Sequence, residues 1–181
     1  MPISTPLAPL TATELCMCTL VTSSLFESHA FMLYLFHTVN RAQQFGFAHP
    51  LLQSQVLQWT VFWAVSGQPV QGQWNYFRRR GGGSTQDEHT AKKFHDDLRV
   101  YHVLEAHLSA RYADDAPPRE YLAGPGTGKD TLADINAWAC VRNLRGVGLE
   151  EEESARLPAL AAWVERVGAR GGAERRVWGG L

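Results

Sequence analysis

The sequence predicts a predominantly α-helical fold, and three observations carry that expectation. Leu52, Val56, Trp59 and Trp63 recur at helical spacing in the stretch from Leu51 to about Arg79. Phe94, Leu98, Tyr101, Leu104 and Leu108 fall at steps of four, three, three and four, the stripe of an amphipathic helix. Leu157, Leu160, Ala161, Val164 and Val167 line one face of a last helix, with Pro158 in its first turn, where a missing N–H costs nothing.

The remaining segments follow in chain order. Residues 1 to 13 are rich in Pro, Ser and Thr and read as a loose leader. Leu15 to Phe26 holds apolar and β-branched residues, enough for one or two strands. From Ser28 the pattern turns helical. Gly67 and Pro69 are expected to interrupt the first long helix. "RRRGGGST" is a polar, glycine-rich break before the second. Thr131 to Val141 gives a further helix, and the tail "GGAERRVWGGL" is at best a weak one.

Composition bounds the function. The chain has 181 residues, 45% of them apolar, with six tryptophans to fill a core. Charge is nearly balanced, 17 basic against 18 acidic side chains, so nothing favours nucleic acid or an anionic membrane as partner. Cys16, Cys18 and Cys140 form no disulfide framework, and no positive n-region opens a signal peptide. The run "AFMLYLF" is far short of the roughly 20 residues of a membrane span. A cytoplasmic protein is the expectation.

"GPGTGKDT", residues 124 to 131, imitates a phosphate-binding loop. The P-loop pattern is G-x-x-x-x-G-K-S/T. Here Ala123 takes the leading glycine position, and Asp130 puts a negative charge where the magnesium-binding hydroxyl belongs. A helix start explains the loop better. Thr131 and Asp134 have capping-box spacing, with the aspartate able to reach back to the threonine amide. Lys129 then reads as a solvated loop charge. The seven histidines lack H-E-x-x-H spacing, and His95 and His102 share a helix face without a third ligand, so no metal is expected. No G-x-S-x-G element supports hydrolase chemistry.

Four segments in order resemble the C-terminal helical domain of the glutathione S-transferase superfamily. They are "QVLQWTVFWAVSGQPVQGQWNYF", "VYHVLEAHLSA", "REYLAGPGTGKDTLADINAWACVR" and "LPALAAWVERVGARGGAERR". In the last, Gly171 stands where the family pattern has proline. The first is closest to the nu-class and fungal nitrogen-regulator-like branch. Upstream, "FESHAFMLYL" resembles the end of a thioredoxin-like domain. The resemblance implies a helical bundle over residues 41–181, preceded over 1–40 by a short remnant of a thioredoxin-like α/β domain.

It also implies a ligand and a reaction. Glu27 and Ser28 match the pair that holds the γ-glutamyl end of glutathione, with Lys93 near a basic position of the branch. Ser28 at a helix start is equally an N-cap in its own right. The electrophile pocket falls to Trp63, Ser66, Gln68, Asn75 and Phe77, although aromatic residues on such a helix serve a core as readily. Thr131 and Asp134 match the cap of the family's central helix. Glutathione is the expected co-substrate, a small electrophilic metabolite of a secondary pathway the second substrate, and a homodimer the candidate assembly. One departure stands against catalysis. Only 26 residues precede Glu27, and no proline lies between residues 10 and 49. The expectation is therefore that the thiol-activating residue and the family's cis-proline are not in this chain. A non-catalytic helical interaction module is the alternative.

Overall fold

The structure is a computed structural model and describes residues 18–20, 23–40, 42–80, 99–113, 116–142, 152 and 155–170. The leader, the "GGGST" part of the break and the tail lie outside the described residues, as do Phe94 and Leu98, while the three arginines of the break continue a helix. The chain divides into two compact units, Met1–Ala42 and Gln43–Leu181.

In the first unit, strands β1 (Cys18–Leu20) and β2 (Ser23–Leu25) pair antiparallel, with Thr19 opposite Ser24. Helix α1 (Ser28–Val39) follows, and none of its residues is fully buried.

The regular elements among the second unit's described residues are all helices. Helix α2 (Pro50–Phe62) opens on a proline, whose fixed φ suits a first turn. The expected interruption at Gly67 and Pro69 does not occur. Instead a single widened π turn (Trp63–Gly67) carries the chain directly into α3 (Gln68–Arg80). Proline inside a helix lacks an N–H and crowds the carbonyl four residues back. Widening the turn ahead of Pro69 relieves that crowding and keeps the helix running. Gly67 makes the turn possible, because a Cβ there would lie 2.3 Å from the Trp63 ring.

Helix α4 (Arg99–Leu108) buries Tyr101, Leu104 and Leu108 of the predicted stripe. Helix α5 (Leu132–Val141) is central, with Leu132, Ala133, Asp134, Asn136, Ala137 and Val141 buried. Helix α6 (Pro158–Gly168) buries Leu160, Trp163 and Val167. The bundle packs α2 on α5, α4 on α6, and α5 on α6, with the π turn against α4 and α5. Trp63, Leu104, Leu122, Leu160 and Trp163 have no exposed surface. Burying each large apolar side chain contributes about 1.5–3 kcal/mol, so this layer dominates the stability of the unit.

Polar links between helices fix the register of that packing. Glu105 on α4 caps the start of α6, its carboxylate accepting from the Ala159 amide at 3.2 Å and the Leu160 amide at 2.7 Å. An anion at a helix N-terminus satisfies free amides and faces the positive end of the dipole. Gln71 on α3 donates to the Cys140 carbonyl of α5 at 2.8 Å, and Trp138 on α5 donates to Val164 O of α6 at 2.9 Å. No described helix is long and apolar enough to cross a membrane.

Candidate functional site

Glu27 precedes α1 with φ 68° and ψ 116°, a conformation that non-glycine residues seldom adopt. Its carbonyl accepts from the Phe31 amide at 3.0 Å, so the strained residue starts the helix. Ser28 is the first residue of α1, and both side chains are exposed. No side chain caps this end, and no acidic residue lies in its first turn. Leading amides of a helix have no partner within it, and together with the helix dipole they attract anions. A hydroxyl, the leading amides and an adjacent carboxylate lie close together in the chain at this helix start.

In the second unit the glycine-rich loop has a structural task. Gly124, Gly126 and Gly128 all lie at positive φ, 68°, 80° and 87°. The Gly124 amide donates to Gln55 Oε1 at 3.2 Å, and the Gly128 amide to Glu120 Oε2 at 3.0 Å. Lys129 is not a solvated charge. Its Nζ donates to Gln43 O at 2.8 Å and to Gly46 O, and lies 4.7 Å from the centre of the Phe47 ring. A phosphate loop needs free amides and a free lysine, and here the Gly124 and Gly128 amides and Lys129 Nζ are engaged. The loop straps the segment entering α2 to the start of α5.

That start is organised by Asp134. Its Oδ2 accepts from the Thr131 amide and the Thr131 hydroxyl, each at 2.8 Å. Its Oδ1 accepts from the Leu122 amide and from Trp163 Nε1, each at 2.9 Å. Burial pushes the Asp134 carboxyl above the usual carboxylate range, and the four donors pull it back. One side chain thus joins the loop, α5 and α6.

A cavity of about 620 Å³ opens between α2, α4 and the segment after α4. Trp59, Val103, Ala106 and Tyr112 provide apolar lining. Arg99, His102, His107, Arg111 and Arg119 provide nitrogen. Trp59 and His107 lie against each other, ring centres 4.1 Å apart. His107 Nε2 donates to Leu122 O at 2.8 Å, which assigns the proton to that nitrogen. Burial lowers the His107 pKa, and the nearby Arg119 charge lowers it further, against the bond to Leu122. Arg119 donates from Nη2 to Gly124 O at 2.5 Å, while its Nε is buried with no partner.

The residues singled out from the sequence fall into three groups. Trp63 is enclosed in the core beside Gly67, with Tyr101 at 6.1 Å between ring centres. Its burial answers the choice between core and pocket in favour of the core. Ser66 and Asn75 are half-buried and Gln68 is exposed, and none of them lines the cavity. Lys93 lies outside the described residues, as does the side chain of Phe77. Trp59, His107 and Arg119 were not singled out as site residues. The cavity they share is made by tertiary packing of α2 against α4, which no local pattern marks.

No family model matches the chain. A glutathione S-transferase domain-containing protein of Dictyostelium discoideum is 25% identical over 146 residues, 80% of this chain and 51% of that protein. A glutathione transferase homologue of Lodderomyces elongisporus, solved with two glutathione molecules per subunit, superposes with a TM-score of 0.70 at 22% identity. That match covers 84% of this chain and 66% of the homologue. The glutathione transferase URE2P5 of Phanerochaete chrysosporium gives 0.67 at 23% identity, over 84% of this chain and 64% of its own. The fold is that of the glutathione transferases. Within it the chain resembles the Ure2p-like branch, as its helical motifs imply. The chain spans about half the length of the curated relative.

Proposed function

We propose that this chain is a glutathione transferase-like protein that conjugates or isomerises a small electrophilic metabolite with glutathione. One observation carries the reading. A strained non-glycine residue, Glu27 at φ 68°, delivers the chain to Ser28 at an exposed helix N-terminus without a side-chain cap. Strain of that kind persists where a local geometry is required. The Ser28 hydroxyl and the leading amides take the carboxylate of the γ-glutamyl group, and Glu27 takes its ammonium. The likeness to Ure2p in complex with glutathione supports the ligand. The likeness to Ure2p5 crystallised with 1-(S-glutathionyl)-2,4-dinitrobenzene supports the electrophile class. Lys93 as a glutathione contact, and Ser66, Gln68, Asn75 and Phe77 as pocket residues, belong to the same proposal. So do a cytoplasmic location, a homodimer and a role in secondary metabolism.

The test is conjugation of glutathione to 1-chloro-2,4-dinitrobenzene, followed spectrophotometrically with the folded chain. Turnover above the uncatalysed rate is expected without a thiol-activating side chain from this chain, because glutathione and electrophile are held together. A folded protein that turns over neither this nor an isomerisable substrate would count against the proposal.

A second reading, a non-catalytic interaction module, is favoured by one feature. Leu57, Val61 and Val65 follow each other at steps of four along α2 and the π turn, at 45%, 46% and 70% exposure. An apolar row of that kind suits a partner surface. Sedimentation analysis separates the cases: a catalytically silent protein that self-associates through this row, and dissociates in Val61→Glu, fits the module.

A further inference from the structure

We infer that Trp63 Nε1, Tyr101 Oη and Gln71 Oε1 form a binding site for one internal water molecule, where the π turn and α3 meet α4. The site uses none of the residues of the glutathione contact or of the cavity, and does not rest on the glutathione reading.

Burial comes first. Trp63 has no exposed surface, Tyr101 is 1% exposed and Gln71 is 6% exposed. The indole nitrogen, the hydroxyl oxygen and the amide oxygen are themselves buried, and none has a hydrogen-bond partner among the described residues. Buried polar groups in folded proteins are almost always paired, with protein or with ordered water, because a bare one forfeits its hydration.

The fold brings the three groups together. Trp63 and Tyr101 have ring centres 6.1 Å apart. Gln71 Nε2 donates to Cys140 O at 2.8 Å, which leaves Oε1 as the free end of the amide. Cys140 in turn adjoins Tyr101: burial raises the Tyr101 pKa, and the neighbouring thiol raises it further. The π turn explains the alignment. It takes up one extra residue, so Trp63 and Gln71 share a face as residues seven apart do in an unbroken helix. The same turn packs against α4 and α5, which carry Tyr101 and Cys140.

The balance of donors and acceptors selects the ligand. The Trp63 N–H only donates, Gln71 Oε1 only accepts, and the Tyr101 hydroxyl does either. A water accepts from the indole, donates to the amide oxygen and bonds the hydroxyl, which completes the three bonds usual for a buried water. An anion would face the amide oxygen, and a cation would face the indole N–H. Water therefore joins the π turn, α3 and α4 across a gap that direct side-chain bonds do not close.

Tyr101→Phe tests the inference by sign, since it removes one oxygen and keeps the ring. A bare buried hydroxyl destabilises the fold, so its loss would raise the urea midpoint of the full chain; a hydroxyl bonded to water lowers the midpoint when lost. A lower midpoint is expected. Gln71→Met should shift the midpoint less in the Tyr101→Phe background than in the wild type, because both side chains hold one water. A wild-type crystal structure should show that water about 3 Å from the three polar atoms. A midpoint that rises or stays the same in Tyr101→Phe would overturn the inference. Additive shifts in the double variant, or a crystal structure with no water bonded to at least two of the three atoms, would do so equally.

Discussion

Trp163 donates its indole N–H to Asp134 Oδ1 at 2.9 Å, tying the middle of α6 to the first turn of α5 inside the core. Both residues are fully buried, and the same carboxylate accepts from Leu122 and twice from Thr131. Asp134→Ala leaves these donors without an acceptor. Each buried unsatisfied group costs about 1–3 kcal/mol, so a loss of at least about 3 kcal/mol is expected. Asp134→Asn, which keeps one acceptor oxygen and adds a donor among donors, should fall between. Urea denaturation midpoints check the order wild type, Asn, Ala.

The glycine-rich loop makes a graded prediction. Gly124 has φ 68° and a Cβ there would lie 2.3 Å from the Phe47 ring, whereas Gly128 has φ 87° and open space. Gly128→Ala should cost only the conformational penalty of a left-handed residue, about 1–2 kcal/mol. Gly124→Ala should cost more, because the Phe47 ring must also move. Thermal unfolding of the two variants compares them directly.

Acid should weaken the second unit through His107. Its folded pKa lies below the ordinary 6.5, chiefly through burial. The unfolded chain therefore binds a proton that the folded chain resists. The stabilisation is present above about pH 6.5 and is lost as pH falls through the folded value. His107→Gln supplies a side-chain N–H for Leu122 O but does not titrate. Between pH 7.5 and 5.5, wild type should lose more stability than this variant in urea titrations. Equal losses would assign the acid sensitivity elsewhere.

How much of this was legible depends on the range of the interactions. Leu160 and Val167 repeat within one helix and Leu157 immediately precedes it, and all three are buried. Trp163 lies on the same buried side but was outside the predicted stripe, because its polar partner is Asp134 on another helix. Lys129 looked solvated for the same reason, since its acceptors Gln43 and Gly46 are far away in sequence. Pro69 signalled a break, yet the chain absorbed it with one widened turn, an outcome that hinges on Gly67 meeting Trp63. At the proposed glutathione contact, Glu27 and Ser28 were readable as a pair, but the positive φ of Glu27 was not. The cavity left no trace in the sequence, because Trp59 and His107 meet only when α2 packs against α4.

The most direct test of the glutathione reading is calorimetric titration of the 181-residue chain with glutathione, beside Ser28→Ala. The account predicts one glutathione site in the wild type, with affinity reduced about tenfold by loss of the hydroxyl's charge-assisted bond. A folded wild type that takes up no glutathione, or a variant that binds it equally well, would contradict the assignment of Glu27 and Ser28.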